Sequence, residues 1–367
     1  MTLATTSIRR VILVGAFAPV SFAAITSLAA AQTPSSALLI TIRGKGEHGL
    51  AIADPLTNKV VGRALIVGGG YPHTIAVSAD GKLAYVTNTS YGEAQALENP
   101  EGIPGDFISV IDLVAQKEIR RVETGPGSFP HGIAVAGGKV YFTAEGYKLM
   151  GRYDPASNQI DLMQGIGQDS THMLVVSKDT EKIFTTNSVS NTVTAIEYRS
   201  QPHHQEGDPY SHWSTTQIPV GEGPEGMAMS PDEKELWVTT KRDKSVSIID
   251  VSTQKVSQTF KLKATIYPIR LAFMPDGKQV LIADGGGELL LFDALSRKEI
   301  KRIEVASNPT ANKVMVHGLA ISPDGSHAYV AVMGGNNIAV VDLKTFEVTD
   351  RIFPGTAPET VVWAEKQ

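Results

Sequence analysis

The sequence has 367 residues, a formal net charge of −5 and no cysteine. Without cysteine the chain can form no disulfide, no thiolate metal site and no cysteine-linked haem attachment. The mild acidity offers no basic face to nucleic acid, which excludes that class of partner.

The first 31 residues have the features of an export signal. Arg9 and Arg10 precede an uncharged run that ends in three alanines at 29–31, the small-residue pattern that a signal peptidase cleaves. Removing this segment takes away two arginines and no acid, so the net charge becomes −7. We therefore expect residues 1–31 to be a cleaved signal peptide and residues 32–367 to form one periplasmic or secreted domain, without membrane association. An uncleaved anchor is the alternative, because the run is just long enough to span a bilayer.

A pattern of two short alternating strands around a tight turn recurs along the chain. Alternation with a period of two residues indicates strands, and the Asp-Gly tips are typical of hairpins. Most copies are followed by a third strand that ends in an apolar-Asp pair and by a fourth short strand. Such four-stranded units, repeated every 41–58 residues, are typical of propeller blades. The six copies, each with the first strand, the turn and the second strand of a unit, are YPHTIAVSADGKLAYVTN (71–88), FPHGIAVAGGKVYFTA (129–144), THMLVVSKDTEKIFTTN (171–187), GPEGMAMSPDEKELWVTT (223–240), YPIRLAFMPDGKQVLIAD (267–284) and VHGLAISPDGSHAYVAV (316–332).

The seventh unit is divided between the two ends of the chain. APETVVW (357–363) is a first strand with no strand after it, and residues 37–67 contain three strands with no first strand before them. Joining them closes the ring and leaves no free sheet edge. The sequence therefore predicts an all-β fold: a seven-bladed β-propeller of four-stranded antiparallel blades, closed by one blade shared between the N- and C-terminal strands. The strand at 358–363 should pair with the strand at 37–43.

The repeat resembles a known propeller family. Tyr85-Val86-Thr87-Asn88, with AVSADGK before it and ISVIDL after it, resembles the YVTN-type seven-bladed β-propeller family, which is related in pattern to the lactonase-type propellers. The resemblance covers essentially all of the chain after residue 31. It implies the fold and leaves the activity open, because propellers host many functions.

Polar residues occupy the start of the first strand in most blades. First strands lie innermost in a propeller, so these side chains should form a ring at one mouth of the central channel. Imidazole and carboxylate together suit a divalent transition metal such as zinc, copper, iron or manganese. We predict that the four histidines and two glutamates of the ring bind such a metal; in the alternative, each histidine bonds a backbone carbonyl and the ring is structural. In chain order the ring positions are His73, His131, His172, Glu225, Ile269, His317 and Glu359.

Links between second and third strands should lie on the same face as the ring. They would supply lid and substrate contacts from Tyr91, Glu145, Tyr147, Lys241 and Arg242, with Tyr91 in the long loop 89–105. The link between the third and fourth strands of the third blade should lie on the opposite face. It contains His203, His204 and His212, which we do not expect to reach the ring.

Three functions remain open on this sequence. A metal-dependent hydrolase is implied by the lactonase-type resemblance, with Glu225 as the catalytic base and Arg270, beside Ile269, binding an oxyanion. A copper-type redox enzyme is the second, because the histidine-rich mouth, and YPHT (71–74) in particular, resembles the copper sites of nitrous oxide reductase and of methanethiol oxidase-type propellers. The third is a non-catalytic binding or scaffold propeller. Either enzyme would act on a small molecule at the channel mouth, with ring imidazoles that are neutral at neutral pH and ready to bind metal.

Overall fold

A computed structural model describes the chain as a ring of seven four-stranded antiparallel sheets. It describes residues 36–44, 46–67, 69–89, 105–202, 209–306 and 315–365; the predicted signal peptide lies outside these ranges. The first strand of each blade contacts the first strand of the next blade, around the whole circle. The predicted seven-bladed β-propeller is therefore confirmed. Within the described ranges, no helix has the length and apolar character needed to cross a membrane.

Each blade keeps its four strands in hydrogen-bonded order from the channel outwards. The first three blades comprise β4 (Tyr71–Val77), β5 (Leu83–Thr89), β6 (Phe107–Asp112), β7 (Lys117–Glu123); β8 (Pro130–Ala136), β9 (Lys139–Ala144), β10 (Leu149–Asp154), β11 (Gln159–Gly165); and β12 (Thr171–Val176), β13 (Lys182–Asn187), β14 (Thr192–Pro202), β15 (Pro209–Pro219). The next two comprise β16 (Pro224–Met229), β17 (Glu235–Thr240), β18 (Ser245–Asp250), β19 (Lys255–Lys261); and β20 (Pro268–Phe273), β21 (Gln279–Asp284), β22 (Glu288–Asp293), β23 (Glu299–Glu304). The last two comprise β24 (Val316–Ile321), β25 (His327–Val332), β26 (Asn337–Asp342), β27 (Glu347–Ile352); and β28 (Val361–Glu365), β1 (Ser36–Ile42), β2 (Gly49–Asp54), β3 (Lys59–Leu65).

The seventh blade combines the two ends of the chain. β28 pairs antiparallel with β1, with Leu38 opposite Trp363 and Ile40 opposite Val361. The C-terminal end thus supplies the innermost strand of this blade, and the N-terminal part supplies the other three. The pairing expected between 358–363 and 37–43 is present.

Seven clusters of buried apolar side chains hold neighbouring blades together, one cluster between each pair. Successive side chains of a strand point to opposite faces of its sheet, so every blade can bury apolar residues on both sides. Trp237, fully buried between the fourth and fifth blades, packs edge-on against Phe260 and Phe273 at centroid distances of 5.8 and 5.5 Å. The blades are thereby held at fixed positions around the channel.

A β-bulge interrupts the first strand of six blades at the ring position. Pro72 pairs with Asn88 and Ile75 pairs with Val86, so β4 advances by three residues where β5 advances by two. The same shift occurs in β8, β12, β16, β20 and β24. A bulge leaves ladder groups unpaired and re-aims a side chain. Because each bulge contains the ring residue, it directs that side chain out of the alternating pattern and toward the channel.

Candidate functional site

His131, Glu145 and His172 form a compact group at the channel mouth. One donor atom from each lies within 4.8 Å of the other two. His172 Nδ1 is 2.5 Å from Glu145 Oε1, and the centroids of the His131 and His172 rings are 3.8 Å apart. Two imidazoles and a carboxylate at this spacing make a candidate site for a first-row transition metal.

Glu225 holds the other nitrogen of the His172 ring. Its Oε1 is 2.9 Å from His172 Nε2, and its Oε2 is 2.8 Å from Lys241 Nζ. Metal-binding histidines commonly direct their second nitrogen at a carboxylate, which fixes the tautomer and the ring orientation. Glu225 is therefore placed to orient His172 rather than to join the compact group directly.

A second carboxylate, that of Glu359, contacts several residues on the other side of the channel mouth. Glu359 Oε1 is 3.0 Å from His73 Nε2 and 3.6 Å from His317 Nδ1, and its Oε2 is in contact with the Arg43 guanidinium. The His73 ring also lies against His131, with centroids 3.8 Å apart. The predicted ring members other than Ile269 are therefore joined by contacts, and Glu359 is engaged by a cation and two imidazoles.

The imidazoles differ in their protonation. Burial lowers the pKa of His73 and of His131, and it lowers that of His317 to about 4, so these three are neutral at pH 7 as the sequence predicted. Burial also acts to lower the pKa of His172, but the Glu225 and Glu145 carboxylates overcome it and raise the pKa to about 9. The prediction of a neutral imidazole is therefore wrong for His172 in the metal-free protein.

The two ring carboxylates are held in their charged forms. Burial would raise the pKa of Glu225, but His172 and Lys241 hold it well below its usual range. Arg43 and His73 likewise outweigh burial and depress the pKa of Glu359. A carboxylate of such low basicity is a poor proton acceptor near neutral pH. This electrostatic environment disfavours the role of catalytic base that the sequence suggested for Glu225.

Arg270 is close enough to influence several ring members. Its charge lowers the pKa of His73, His131 and His317, and its Nη1 atom is buried. This agrees with the expectation that the residue after Ile269 reaches the channel mouth. A guanidinium beside neutral imidazoles is suited to binding an oxyanion.

The remaining predicted contacts lie farther from the compact group. Tyr147 is 41% exposed and its hydroxyl bonds a backbone carbonyl of a neighbouring link. Arg242 packs beside Gly223, and His212 lies in β15 opposite Arg199, in the hairpin on the outer side of the third blade. Outside the described residues lie Tyr91, His203 and His204.

Sequence reasoning missed one residue of the site and did not foresee a contact of another. Glu145 was expected among the lid and substrate contacts on the face of the ring, and in the structure it also contacts His172. Arg43, which contacts Glu359 and donates from Nε to the Pro72 carbonyl at 3.3 Å, was not identified. It follows β1 in a link of the kind that reaches the ring's face, so its position in the repeat was the available signal.

Comparison with protein families gives one partial match. The family described as "Cytochrome D1 heme domain" matches residues 178–317, a stretch that includes Glu225, Lys241, Arg270 and His317 and is shorter than half of the chain. No curated protein matches the sequence.

Several solved structures share the fold. Kuenenia stuttgartiensis hydrazine synthase aligns with a TM-score of 0.63 and 17% identity, covering 79% of this chain and 89% of that one. A functionally unknown protein from Desulfotomaculum acetoxidans has a TM-score of 0.68 and 12% identity, with 90% and 99% covered. The Cps50 (Swd1) β-propeller domain of Myceliophteria thermophila has a TM-score of 0.63 and 10% identity, with 82% and 92% covered. At these identities the likenesses support the propeller fold alone.

Proposed function

We propose that the channel mouth binds a first-row transition metal ion between His131, Glu145 and His172 and carries out redox chemistry on a small anionic molecule. The observation that carries the proposal is the convergence of three donor atoms within 4.8 Å of one another. When bound, the ion would supply electron transfer and would polarise an oxygen of the substrate. Glu225 would accept a hydrogen bond from His172 Nε2 and leave Nδ1 directed at Glu145, as the 2.9 and 2.5 Å contacts allow.

The partial match to a haem domain raises the question of a haem at the same mouth. The rings of His73, His131 and His172 pack against one another with centroids 3.8 Å apart, which leaves no room for a tetrapyrrole between them. Nitrogens of His73 and His172 are also engaged by carboxylates. This donor set suits a single ion better than a haem, and we assign no step to a haem.

An anionic substrate is proposed because of the cations around the mouth. Arg43 and Lys241 each pair with a ring carboxylate, and Arg270 acts on three ring imidazoles. A divalent ion would add further positive charge in a partly buried region, where charges interact more strongly than in water. A small carboxylate or oxoacid would offset that charge, with Arg270 bonding its oxygens.

We favour redox chemistry over the hydrolysis implied by the lactonase-type resemblance for two reasons. Hydrolysis would need a base to activate water, whereas the two oxygens of Glu225 are already engaged by His172 Nε2 and Lys241 Nζ, at 2.9 and 2.8 Å. The family that matches residues 178–317 is, by its description, a haem domain, a cofactor class used for one-electron chemistry. The YVTN-type resemblance is compatible with either chemistry, since it describes the repeat.

The metal content of untagged protein tests the proposal. We expect about one transition-metal ion per chain by inductively coupled plasma mass spectrometry, and its loss in His131→Ala and Glu145→Gln. His212→Ala, on the β14–β15 hairpin, is the matched control and should keep the metal. Protein that contains no transition metal, and takes none up on dialysis, would show that the metal site is wrong.

Oxidation and reduction of the loaded protein test the redox part separately. Dithionite and ferricyanide should change its visible or electron paramagnetic resonance spectrum reversibly. A bound metal that responds to neither reagent would overturn the redox proposal while leaving the metal site intact.

A further inference from the structure

A threonine in the second strand of five blades links each blade to the ring residue of the next. The threonine oxygen accepts a hydrogen bond from the backbone N–H of the residue that follows the ring residue of its own blade, at 2.8–3.1 Å. Its hydroxyl lies within hydrogen-bond distance of the carbonyl of the next ring residue. These second contacts are Thr41 to His73 at 3.4 Å, Thr87 to His131 at 2.8 Å, Thr143 to His172 at 2.6 Å, Thr186 to Glu225 at 3.0 Å and Thr239 to Ile269 at 3.4 Å.

The threonine contacts differ in length, and the shortest lie at two histidines of the predicted ring. The two shortest hold the backbones of His131 and His172, the two imidazoles of the compact group. At the equivalent position of the fifth and sixth blades the residues are Ala283 and Ala331, which have no hydroxyl. The shortest threonine contacts therefore lie where the two proposed ligands from different blades must keep a fixed separation.

Thr143 joins the two ligand backbones through a single oxygen atom. Its Oγ1 lies 2.8 Å from the Gly132 N–H nitrogen, next to His131, and 2.6 Å from the His172 carbonyl oxygen. Gly132 permits the close approach, because a Cβ there would meet the same His172 oxygen at 2.7 Å. Thr143 is fully buried, so removing its hydroxyl would leave buried groups unpaired.

We propose that Thr143 is a positioning residue of the metal site, which fixes the distance between His131 and His172 by clamping the second and third blades together. The inference rests on the proposed metal site. The clamp acts on the backbone and touches neither the metal nor the substrate. Thr87, which holds the carbonyl of His131 from the first blade, contributes to the same placement from the other side.

Thr143→Val removes the hydroxyl and keeps the shape of the side chain. We expect it to weaken Co(II) binding, measured by chelator competition, by about tenfold or more, as removal of supporting hydrogen bonds does at other metal sites. Thr143→Ser restores the hydroxyl and should recover most of the affinity. Thr41→Val is the matched control, because Thr41 bonds the Thr360 N–H at 2.9 Å and the His73 carbonyl at 3.4 Å, outside the compact group. It should leave Co(II) affinity within about twofold of the unmodified protein.

A readout without metal separates this inference from the proposed function. In ¹⁵N-histidine-labelled protein, Thr143→Val should broaden or split the imidazole signals of His131 and His172, and Thr41→Val should leave them unchanged. If the unmodified protein binds no metal, the proposed metal site is wrong, and the imidazole signals alone then test whether Thr143 positions His131 and His172. The inference is overturned if folded Thr143→Val, with a Tm like that of Thr41→Val, keeps both signals as they were. It is equally overturned if the variant binds Co(II) as tightly as the unmodified protein.

Discussion

Metal binding at the channel mouth should release about one proton per ion at neutral pH. Burial lowers the pKa of His172, but Glu225 and Glu145 raise it overall to about 9, whereas burial holds the pKa of His131 well below 6.5. A metal ion binds the deprotonated imidazole. At pH 7 His131 is thus ready to bind, and His172 must first lose its proton.

The size of the effect follows from that pKa. Between pH 6.5 and 8.0 His172 remains mostly protonated without metal, so the apparent Kd should fall about tenfold per pH unit and about 30-fold over the interval. This corresponds to about 2 kcal/mol of binding free energy. A histidine with an ordinary pKa near 6.5 would change the affinity by only about twofold over the same interval.

Isothermal titration calorimetry with Co(II) in buffers of different ionisation enthalpy measures the released proton directly. Glu225→Gln removes one of the attractions that keep His172 charged, so it should flatten the pH dependence. Glu359→Gln changes a carboxylate on the other side of the ring and should preserve it. An affinity that does not change between pH 7 and 8, or binding without proton release, would refute the assigned protonation of His172.

Four further outcomes are expected. Because burial lowers the pKa of His317 to about 4, the folded state resists its protonation, and His317 alone should contribute about 3 kcal/mol to the unfolding free energy that metal-free protein loses as the pH falls from 6.5 to 4. His317→Gln should reduce that loss by about this amount in urea titrations while the shares of His73 and His131 remain, and an unchanged profile would contradict the assignment. Deleting residues 361–367 removes β28 with its buried Val361 and Ala364 and exposes the edge of β1, so we expect a loss of about 3 kcal/mol or more and a lower Tm by scanning calorimetry; an unaltered Tm would show that ring closure adds little. Arg270→Gln should weaken the binding of formate to the metal-loaded protein about tenfold by isothermal titration calorimetry, since a charge-assisted hydrogen bond is lost, and Arg270→Lys should retain part of the affinity; equal affinity in all three proteins would exclude Arg270 from anion binding. Protein isolated from the periplasm should begin at Gln32 by N-terminal sequencing, whereas a chain starting at Met1 in membranes would favour the anchor.

The propeller could be predicted because its determinants repeat. Most units contain alternating apolar residues, a turn tip and an apolar-Asp pair. A strand that is hard to assign in one unit can therefore be assigned by comparison with the others. The unpaired first strand at 357–363 and the three strands at 37–67 predicted the pairing of β28 with β1. Ring membership was predictable for the same reason, since equivalent positions in different blades must meet at the channel.

The contacts within the ring could not be predicted, because they depend on segments that do not repeat. Glu145 comes from the link after β9 and Lys241 from the link after β17, and neither link has a counterpart of the same sequence elsewhere. The high pKa of His172 results from Glu145 and Glu225 together, which are supplied by different blades. Sequence spacing gives the face on which such residues lie and leaves their distances undetermined.

The threonines of the second strands recur in the sequence, but their contacts could not be predicted from it either. Thr87 stands in the YVTN stretch by which the repeat is recognised, and Thr143 and Thr186 occupy the matching place in the next two blades. In the sequence, the recurrence of threonine at this position is explained by strand propensity alone, because threonine favours strands. The positioning role that we propose for them could be inferred only from the distances, which are shortest at His131 and His172.

Departures from the repeat mark where the symmetry of the ring is broken. Seven equivalent blades would place seven equivalent side chains at the mouth, and such a ring would give no preferred position to one ion or to one substrate. Glu145 adds a carboxylate on one side, whereas Ile269 and Arg270 interrupt the polar ring and bring a cation toward the other. Ala283 and Ala331 remove the threonine contact on that same side. The side with the short threonine contacts is therefore suited to holding an ion, and the side with Arg270 to binding an anion, as the proposed reaction of a metal ion with a small anion would require.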